Sequence, residues 1–343
     1  RMVDLVAPQH AQALQSGELS AGRFLRSLVT GRWTDAPAEH EAIRGYRAQS
    51  VGLDAMGGAL VPDVFSSQII DLARNQTRVL QAGAQTIPMP GPTLSLAKVV
   101  TAPTAGWKGE NQPAEVSDMT FGRTTLHANT LVGMIKSSVE LFEDSPNAGD
   151  LAARELATSL SIELDRVGLV GIGAALEPLG VSENPAVQRL DLGTDGDFLE
   201  VDDLTTAIAK IWNVNGPTEG LAAIMAPRTA AWLEAMKDGD GNPVRWPESV
   251  TKLRKLVTNQ VPTDLTHGAE TAASEVYLGD WRQMLIGMRT ELRIEVSREA
   301  ADSSGSAFRN LQIWIRAYLR ADIGYMHSNF FTVIEGIKPG LTL

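Results

Sequence analysis

Cysteine is absent from the 343 residues, which excludes disulfides, thiolate catalysis and a cysteine zinc site. Stability must come from packing, metal-free electrostatics or assembly. Histidine is scarce as well: His10, His40, His127, His267 and His327 are too scattered for their spacing to suggest a metal cluster. No apolar run approaches the roughly 20 residues of a membrane-spanning helix and no signal peptide opens the chain, so a soluble cytosolic protein without membrane contact is expected. Positive charge is in deficit. With 30 Lys and Arg against 41 Asp and Glu, the formal net charge of −11 argues against a protein that grips nucleic acid by its phosphates, which would need a basic face. The 43% hydrophobic share still supports a large core, and the length suggests two domains or one elaborate one.

The most ordered stretch is Asp144 to Gly173. Asp144 and Ser145 are candidate helix caps, Pro146 suits a first turn, and Leu156, Leu160, Leu164 and Val167 recur at helical steps. The pattern predicts one helix over about 147–170, roughly 35 Å long, ended by Gly171 and Gly173. Before it, two short helices are expected in residues 1–56. One is capped by Ser20, carries Phe24, Leu25, Leu28 and Val29, and stops at Gly31; the other starts at Asp35 and Pro37 and runs through Glu39, Glu41, Arg44 and Arg47. Helices this short are marginal alone, so they must lie on something, and an arm reaching a neighbouring subunit is the favoured reading over one packed on its own chain.

Gly57 to Pro62 reads as a hinge, followed by a helix over 63–80. Two strand-like runs, 87–100 and 124–141, flank a polar excursion whose large apolar groups are Trp107 and Phe121. An isolated hairpin of that length exposes too much backbone, so it is expected to lie on another protein surface. Beyond a turn-rich link after Gly173, helices are expected in DLTTAIAKIWNVN and PRTAAWLEAMKD. Strands are expected in LAAIMAP, in SEVYLGDWRQMLIGMRTELRIEVS with turns, in Phe308 to Tyr325 with alternating Leu311, Ile313 and Ile315, and in FFTVIEGI. The class is α+β with a mixed domain inserted at about 203–306.

The search for chemistry returns little. Val170 to Leu176 has the glycines of a dinucleotide fingerprint, but after a helix and without the third glycine, so helix termination is the reading. Asp238, Asp240 and Asn242 have the alternate spacing of a calcium loop, yet Pro243 stands where glycine is required and Ser249 where the loop ends in glutamate; a solvated turn fits better. Glu140, Glu143 and Asp144 read as capping and surface solvation, and His127 as a solvent-facing strand residue. Trp107, beside Lys108 in a polar loop, reads as a residue awaiting a partner's pocket. No catalytic residue, cofactor or metal site is expected.

In order along the chain, Gly57-Gly58-Ala59-Leu60-Val61-Pro62, Trp107 with Glu110, Ser138-Val139-Glu140-Leu141 with Asp144-Ser145, Asp165 to Gly173 with Pro178-Leu179-Gly180, and Phe308 to Asp322 with Arg316 and Arg320 carry a joint signal. It resembles the major capsid proteins of tailed bacteriophages with the Hong Kong 97-like fold, over nearly the whole chain and including SAGRFLRSL near the start. The resemblance implies a four-part chain: an N-terminal arm, 1–56; a peripheral domain of 57–92, 128–202 and 307–335; an extended loop, 93–127; and an axial domain, 203–306, to which 336–343 is a candidate addition. It implies contacts with copies of itself in pentamers and hexamers, with Phe24, Leu28, Trp33, Trp107, Lys108, Glu110, Asp118, Arg123, Asp238 and Asp240 as contact candidates. It further implies an icosahedral shell around double-stranded DNA held without sequence-specific binding, a portal, a scaffold or maturation protease, a decoration protein, and assembly in the bacterial cytoplasm into a virion. Some relatives cross-link a loop lysine to a neighbour's asparagine. Here Asn111 follows Glu110 and the loop offers only Lys98 and Lys108, so no covalent link is expected. The 56 residues before Gly57 leave two options: a segment removed before Arg1, or a separate scaffold. The rival readings are an encapsulin-type compartment of the same fold and a cytosolic hydrolase using Ser and Asp groups near 138–145.

Overall fold

The computed structural model describes residues 19–34, 36–41, 59–60, 77–101, 107, 119–145, 147–174, 176–302 and 305–340. Its strands, in chain order, are β1 Ala59–Leu60, β2 Gln85–Pro88, β3 Thr93–Thr101, β4 Thr120–His127, β5 Asn129–Ser138, β6 Gln188–Asp191, β7 Ala222–Met225, β8 Arg254–Val257, β9 Leu265–His267, β10 Glu270–Gly279, β11 Met284–Ser297, β12 Ala301–Asp302, β13 Gly305–Ser306, β14 Gln312–Tyr325 and β15 Phe331–Ile337. One sheet has the order β1-β11-β14-β5, with β2 also on β11; another has the order β6-β15-β10-β7-β8, with β9 on β10. β3 and β4 pair only with each other, as do β12 and β13. The chain forms two compact units, one from 1–77, 130–165 and 290–320, the other from 78–129, 166–289 and 321–343. The insert expected at 203–306 is therefore shared: it belongs to the second unit through Arg289 and to the first from Thr290.

In the first unit, the helix Ala21–Thr30 forms where its local signals place it. Ser20 Oγ accepts the Arg23 N–H, and Gly31, at φ 71, closes the other end in the left-handed region that favours glycine. Its apolar stripe is buried on its own chain: Phe24 and Val29 are fully covered and Leu25 nearly so. Over 19–34 and 36–41 the segment thus lies on its own chain, the alternative weighed beside the outreaching arm, and close approach is the reason. A Cβ on Gly149 would lie 2.1 Å from the Gly22 carbonyl oxygen, so the short helix meets the long one through two bare backbones. Polar contacts close the join: the Ser20 hydroxyl donates to Asp150 (3.2 Å), the Arg26 Nε–H to the Phe142 carbonyl (3.2 Å), and Arg23 pairs with buried Glu39 (3.0 Å).

The long helix spans Ala148–Val170, 23 residues and about 35 Å. Its bounds match the expected 147–170, but the expected caps serve another helix. Ser138 Oγ accepts the Leu141 N–H and nucleates a separate short helix, Val139–Asp144, so Asp144 ends that helix and Ser145 is its C-cap. The hinge expected at Gly57–Pro62 contains β1, whose Ala59 and Leu60 pair with Val296 and Glu295. Most of the stretch expected as a helix over 63–80 lies outside the described residues; within them Thr77 is not helical and a separate short helix runs Arg78–Ala82. Leu311, expected to alternate with Ile313 and Ile315, sits in a turn at φ 48 and is 61% exposed, whereas both isoleucines are fully buried in β14.

In the second unit, β10 is antiparallel to β15 and β7, while β8 and β6 add in parallel outside them. The helix Val201–Asn213 lays Leu204, Ala207, Ile208 and Ile211 on this sheet, and β7 is apolar and fully buried, as a strand covered on both faces should be. A buried polar cluster interrupts β10 at its register shift between Ser274 and Val276. Glu275 accepts from the Tyr277 hydroxyl (2.7 Å) and the Ser182 hydroxyl (2.9 Å), and Arg189 joins Glu335 and the Ser182 carbonyl beside it. Burial pushes the Glu275 carboxyl up, and Glu335 adds to that; the two hydroxyls and Arg189 pull the other way without cancelling it.

Two outcomes follow from these contacts. Gly149→Ala places a methyl against the Gly22 carbonyl and should lower the unfolding free energy of the unassembled subunit by about 1–3 kcal/mol; an unchanged urea midpoint would contradict the close crossing. For Glu275 the native state binds more protons than the unfolded chain above the ordinary glutamate range near pH 4.5, so its contribution to stability falls as pH rises through the native value. Glu275→Gln should remove that slope. Its stability relative to the parent, measured in urea at pH 4.5 and pH 8, should improve at the higher pH, and a pH-independent difference would refute the reading.

Candidate assembly surfaces

Among the described residues the β3–β4 hairpin is sparsely covered. Thr93 pairs with His127, Leu94 with Leu126, Leu96 with Thr124, Ala97 with Arg123 and Val99 with Phe121, so alternate residues share a face. One face at the base is apolar: Leu126 and Ala128 are buried with Met89, and Leu94 and Leu96 pack against them. The opposite face is polar near the base, where Thr93 Oγ1 lies 3.4 Å from His127 Nδ1 and Ser95 Oγ lies 3.4 Å from Thr125 Oγ1. Further out that polar face turns apolar. Val99 and Phe121 stand opposite one another at 39% and 65% exposure, with Met119 at 41% beyond them and Trp107 fully exposed.

Its base is tied to β14. The His127 N–H donates to Asp322 Oδ2 (2.6 Å), and the Thr124 hydroxyl donates to the Tyr325 carbonyl (2.9 Å). Burial raises the Asp322 carboxyl above its ordinary range; the two N–H donors, His127 and Ile323, and the His127 ring oppose that. His127 itself is solvent-facing, as expected from its strand position.

The expected contact residues are scattered in their placement. Phe24 is enclosed by its own chain and offers no surface, because the helix's apolar stripe turns inward. Leu28 and Trp33 are half-buried, and the Trp33 ring stacks on His40 at 5.0 Å. Arg123 is exposed on the hairpin, on the same face as Phe121. Lys108, Glu110 and Asp118 lie outside the described residues. Asp238 and Asp240 are exposed in a turn that Asp238 organises, its carboxylate accepting the Asp240 N–H (3.0 Å) and the Asn242 N–H (2.8 Å). That geometry makes the aspartate a turn former, in keeping with a solvated loop.

The expected contact set omitted Val99, Met119 and Phe121 on the hairpin. It also omitted Val132 and Met134 on β5, and Leu141, Phe308 and Leu311, all at least half-exposed or close to it within the first unit. Alternation signals the β5 pair, since one face of that strand rests on Leu156 and Leu160 of the long helix, within 3.7 Å of where a Gly133 Cβ would stand. Which face is covered depends on tertiary packing and cannot be read from the alternation. Beside this strand a groove of about 530 Å³ is lined by Val132, Glu155, Thr158, Ser159, Ile162 and Glu163 among others. Ser138, named with the nearby acids in the hydrolase reading, is engaged as a helix cap. Among the described residues no three His, Cys, Asp or Glu converge to hold a metal ion, and no helix is long and apolar enough to cross a membrane.

Comparison with known proteins agrees with this geometry. A model of the phage capsid family matches residues 57–336. The major capsid protein of Klebsiella oxytoca phage phiKO2 is 29% identical over 296 residues, covering 82% of this chain and 68% of that protein. The major capsid protein of Halomonas phage phiHAP-1 is 25% identical over 279 residues, covering 80% of this chain and 44% of that protein. This chain thus spans about two thirds of the first relative and less than half of the second. Among solved structures, a chain of Mycobacterium phage Bobi aligns at TM-score 0.60 and 15% identity over 85% of this chain and 97% of its own. The capsid of an empty GTA particle aligns at TM-score 0.60 and 17% identity over 87% of this chain and 98% of its own. Neither the encapsulin-type compartment nor the hydrolase is favoured by these matches. With a family match that runs from before β1 into β15 and a fold shared with phage capsids, the chain belongs to the phage capsid family and is a shell-forming protein of the α+β, Hong Kong 97-like fold.

Proposed function

We propose that this protein closes with copies of itself, as pentamers and hexamers, into an icosahedral shell around double-stranded phage DNA, and that its role is mechanical with no catalysis. The observation that carries the reading is the hairpin: anchored at its base, apolar at its far end, and bare there. Covering the exposed 65% of Phe121 and 39% of Val99 against a neighbour is worth about 1–2 and about 0.5–1 kcal/mol. A subunit held by several such contacts dissociates only when all fail together. The GTA capsid to which the fold is similar was computed with C5 symmetry, which supports five-fold grouping here.

The hairpin end and the groove beside β5 are complementary in kind. The hairpin carries Arg123 on the same face as Val99 and Phe121, and the groove carries Glu155 and Glu163 beside Val132 and Ile162. The reading therefore seats one copy's hairpin on the next copy's groove through non-covalent contacts alone. The four-part division expected from the sequence belongs to this proposal, with 1–56 as the arm, 93–127 as the extended loop, 203–306 as the axial part and the remainder as the peripheral part. So do a portal, a scaffold or maturation protease, a decoration protein, and assembly in the host cytoplasm. The net charge of −11 would keep packaged DNA from adhering to the wall.

Shortening the hairpin between Val100 and Phe121 should leave subunits folded, with unchanged far-ultraviolet circular dichroism, while abolishing closed shells in negative-stain micrographs. Normal particles from that deletion would overturn the proposal.

A further inference from the structure

We infer that Gly287 of β11 and Gly324 of β14 form a seat for Leu126, and that this seat fixes the direction in which the β3–β4 hairpin leaves its subunit. Leu126 is fully buried, although its strand neighbours Thr125 and His127 are exposed. The space it occupies exists because two residues have no side chain. A Cβ on Gly324 would lie 2.6 Å from Leu126 Cδ2 and 2.9 Å from Thr124 Cγ2; a Cβ on Gly287 would lie 2.8 Å from Leu126 Cδ1 and 2.7 Å from Met89 Sδ. Neither glycine has a positive φ, so the backbone at both positions would accept alanine and the requirement is for room alone.

The contacts around the seat set an angle as well as a position. Over four consecutive residues of β14, Asp322 receives the His127 N–H, Gly324 admits Leu126, and Tyr325 receives the Thr124 hydroxyl. On the other side the Met89 N–H donates to the Met288 carbonyl (2.8 Å), next to Gly287, and the Ala128 N–H donates to the Pro92 carbonyl (2.9 Å), closing the hairpin's two feet on each other. The ribbon is thus gripped over the two-residue step from Thr124 to Leu126, about 7 Å, while Phe121 stands about 17 Å from Leu126 at the usual strand rise. A lift of about 1 Å at the Leu126 end, pivoting on Thr124, swings Phe121, about 10 Å beyond that pivot, by roughly 1.5 Å, enough to forfeit much of an apolar contact. Leu126 is a positioning residue, acting on a neighbouring copy only through where it holds Val99 and Phe121. Its consequence for shells rests on the proposed function; the seat itself does not.

The test is a cycle of Gly324→Ala, Leu126→Ala and the pair together, each examined as unassembled subunit by hydrogen exchange and after assembly by electron microscopy. Gly324→Ala should speed exchange of the His127 amide at least tenfold and cut the yield of closed shells by a similar factor. Adding Leu126→Ala removes the nearer collision and leaves only the Thr124 methyl, 2.9 Å from the new Cβ, so the double variant should exchange clearly more slowly than the product of the two single effects. Multiplicative effects, or exchange unchanged in Gly324→Ala, would overturn the seat. Faster exchange with undiminished shells would support the seat and sink the hairpin's role in assembly. Should Gly324→Ala fail to fold, Gly287→Ala, which presses on the flexible end of Met89 as well as on Leu126, carries the same cycle.

Discussion

A two-stranded ribbon in water has too few neighbours to hold its own shape, and every other feature of this molecule can be ordered around how that constraint is met. At the base of the ribbon, Leu126 with Leu94 and Leu96 gives β3 and β4 an apolar footing on Met89 and Ala128, and Asp322 and Tyr325 satisfy two polar groups of β4. At its far end Val99, Met119, Phe121 and Trp107 have no comparable cover. In the proposed shell the ribbon is half of an interaction, stable enough to be presented and apolar enough to be captured. Sequence supplies this directly: the inward positions at the base are leucines, and on the outward face Thr, Ser and Ala give way to Val and Phe.

The rest of the chain supplies firm footing. The six-stranded sheet of the second unit buries an apolar core under the helix Val201–Asn213, with Trp281 fully enclosed, its indole N–H on the Ala222 carbonyl and its ring edge-on to Phe331. In the first unit, the N-terminal helix is too short to persist alone and is held by the bare crossing of Gly22 and Gly149 and by Arg23, Glu39 and Asp150. Such stiffness suits a shell subunit. Weak contacts between copies add only when each copy presents them in a fixed geometry, since ordering a floppy partner would consume much of the gain.

Much of this was legible from local signals. Ser20 and Gly31 delimit a helix, apolar residues at three and four steps delimit a long one, and alternation with an overlong polar excursion marks a hairpin, whose bounds at 93 and 127 came only with the family resemblance. What was not legible is non-local. Phe24 looked like an offered residue because its stripe is apolar, and only the close passage of Gly149 shows that the stripe is already covered. Ser138 ends a strand and caps a helix within a run that alternates smoothly, so periodicity hides the change. Leu311 continues the alternation of Ile313 and Ile315 yet adopts a positive φ outside the strand. The seat of Leu126 joins residues more than 150 positions apart, and a glycine that makes room looks in sequence like a glycine that makes a turn.

The central claim is that the far end of the ribbon is bare in the lone subunit and covered by another copy in the shell. Hydroxyl-radical footprinting of Phe121 and Met119, in unassembled subunits and in closed shells, tests it most directly. Strong labelling in the subunit and protection in the shell are expected. Equal labelling in both states, or protection already present in the lone subunit, would contradict the account.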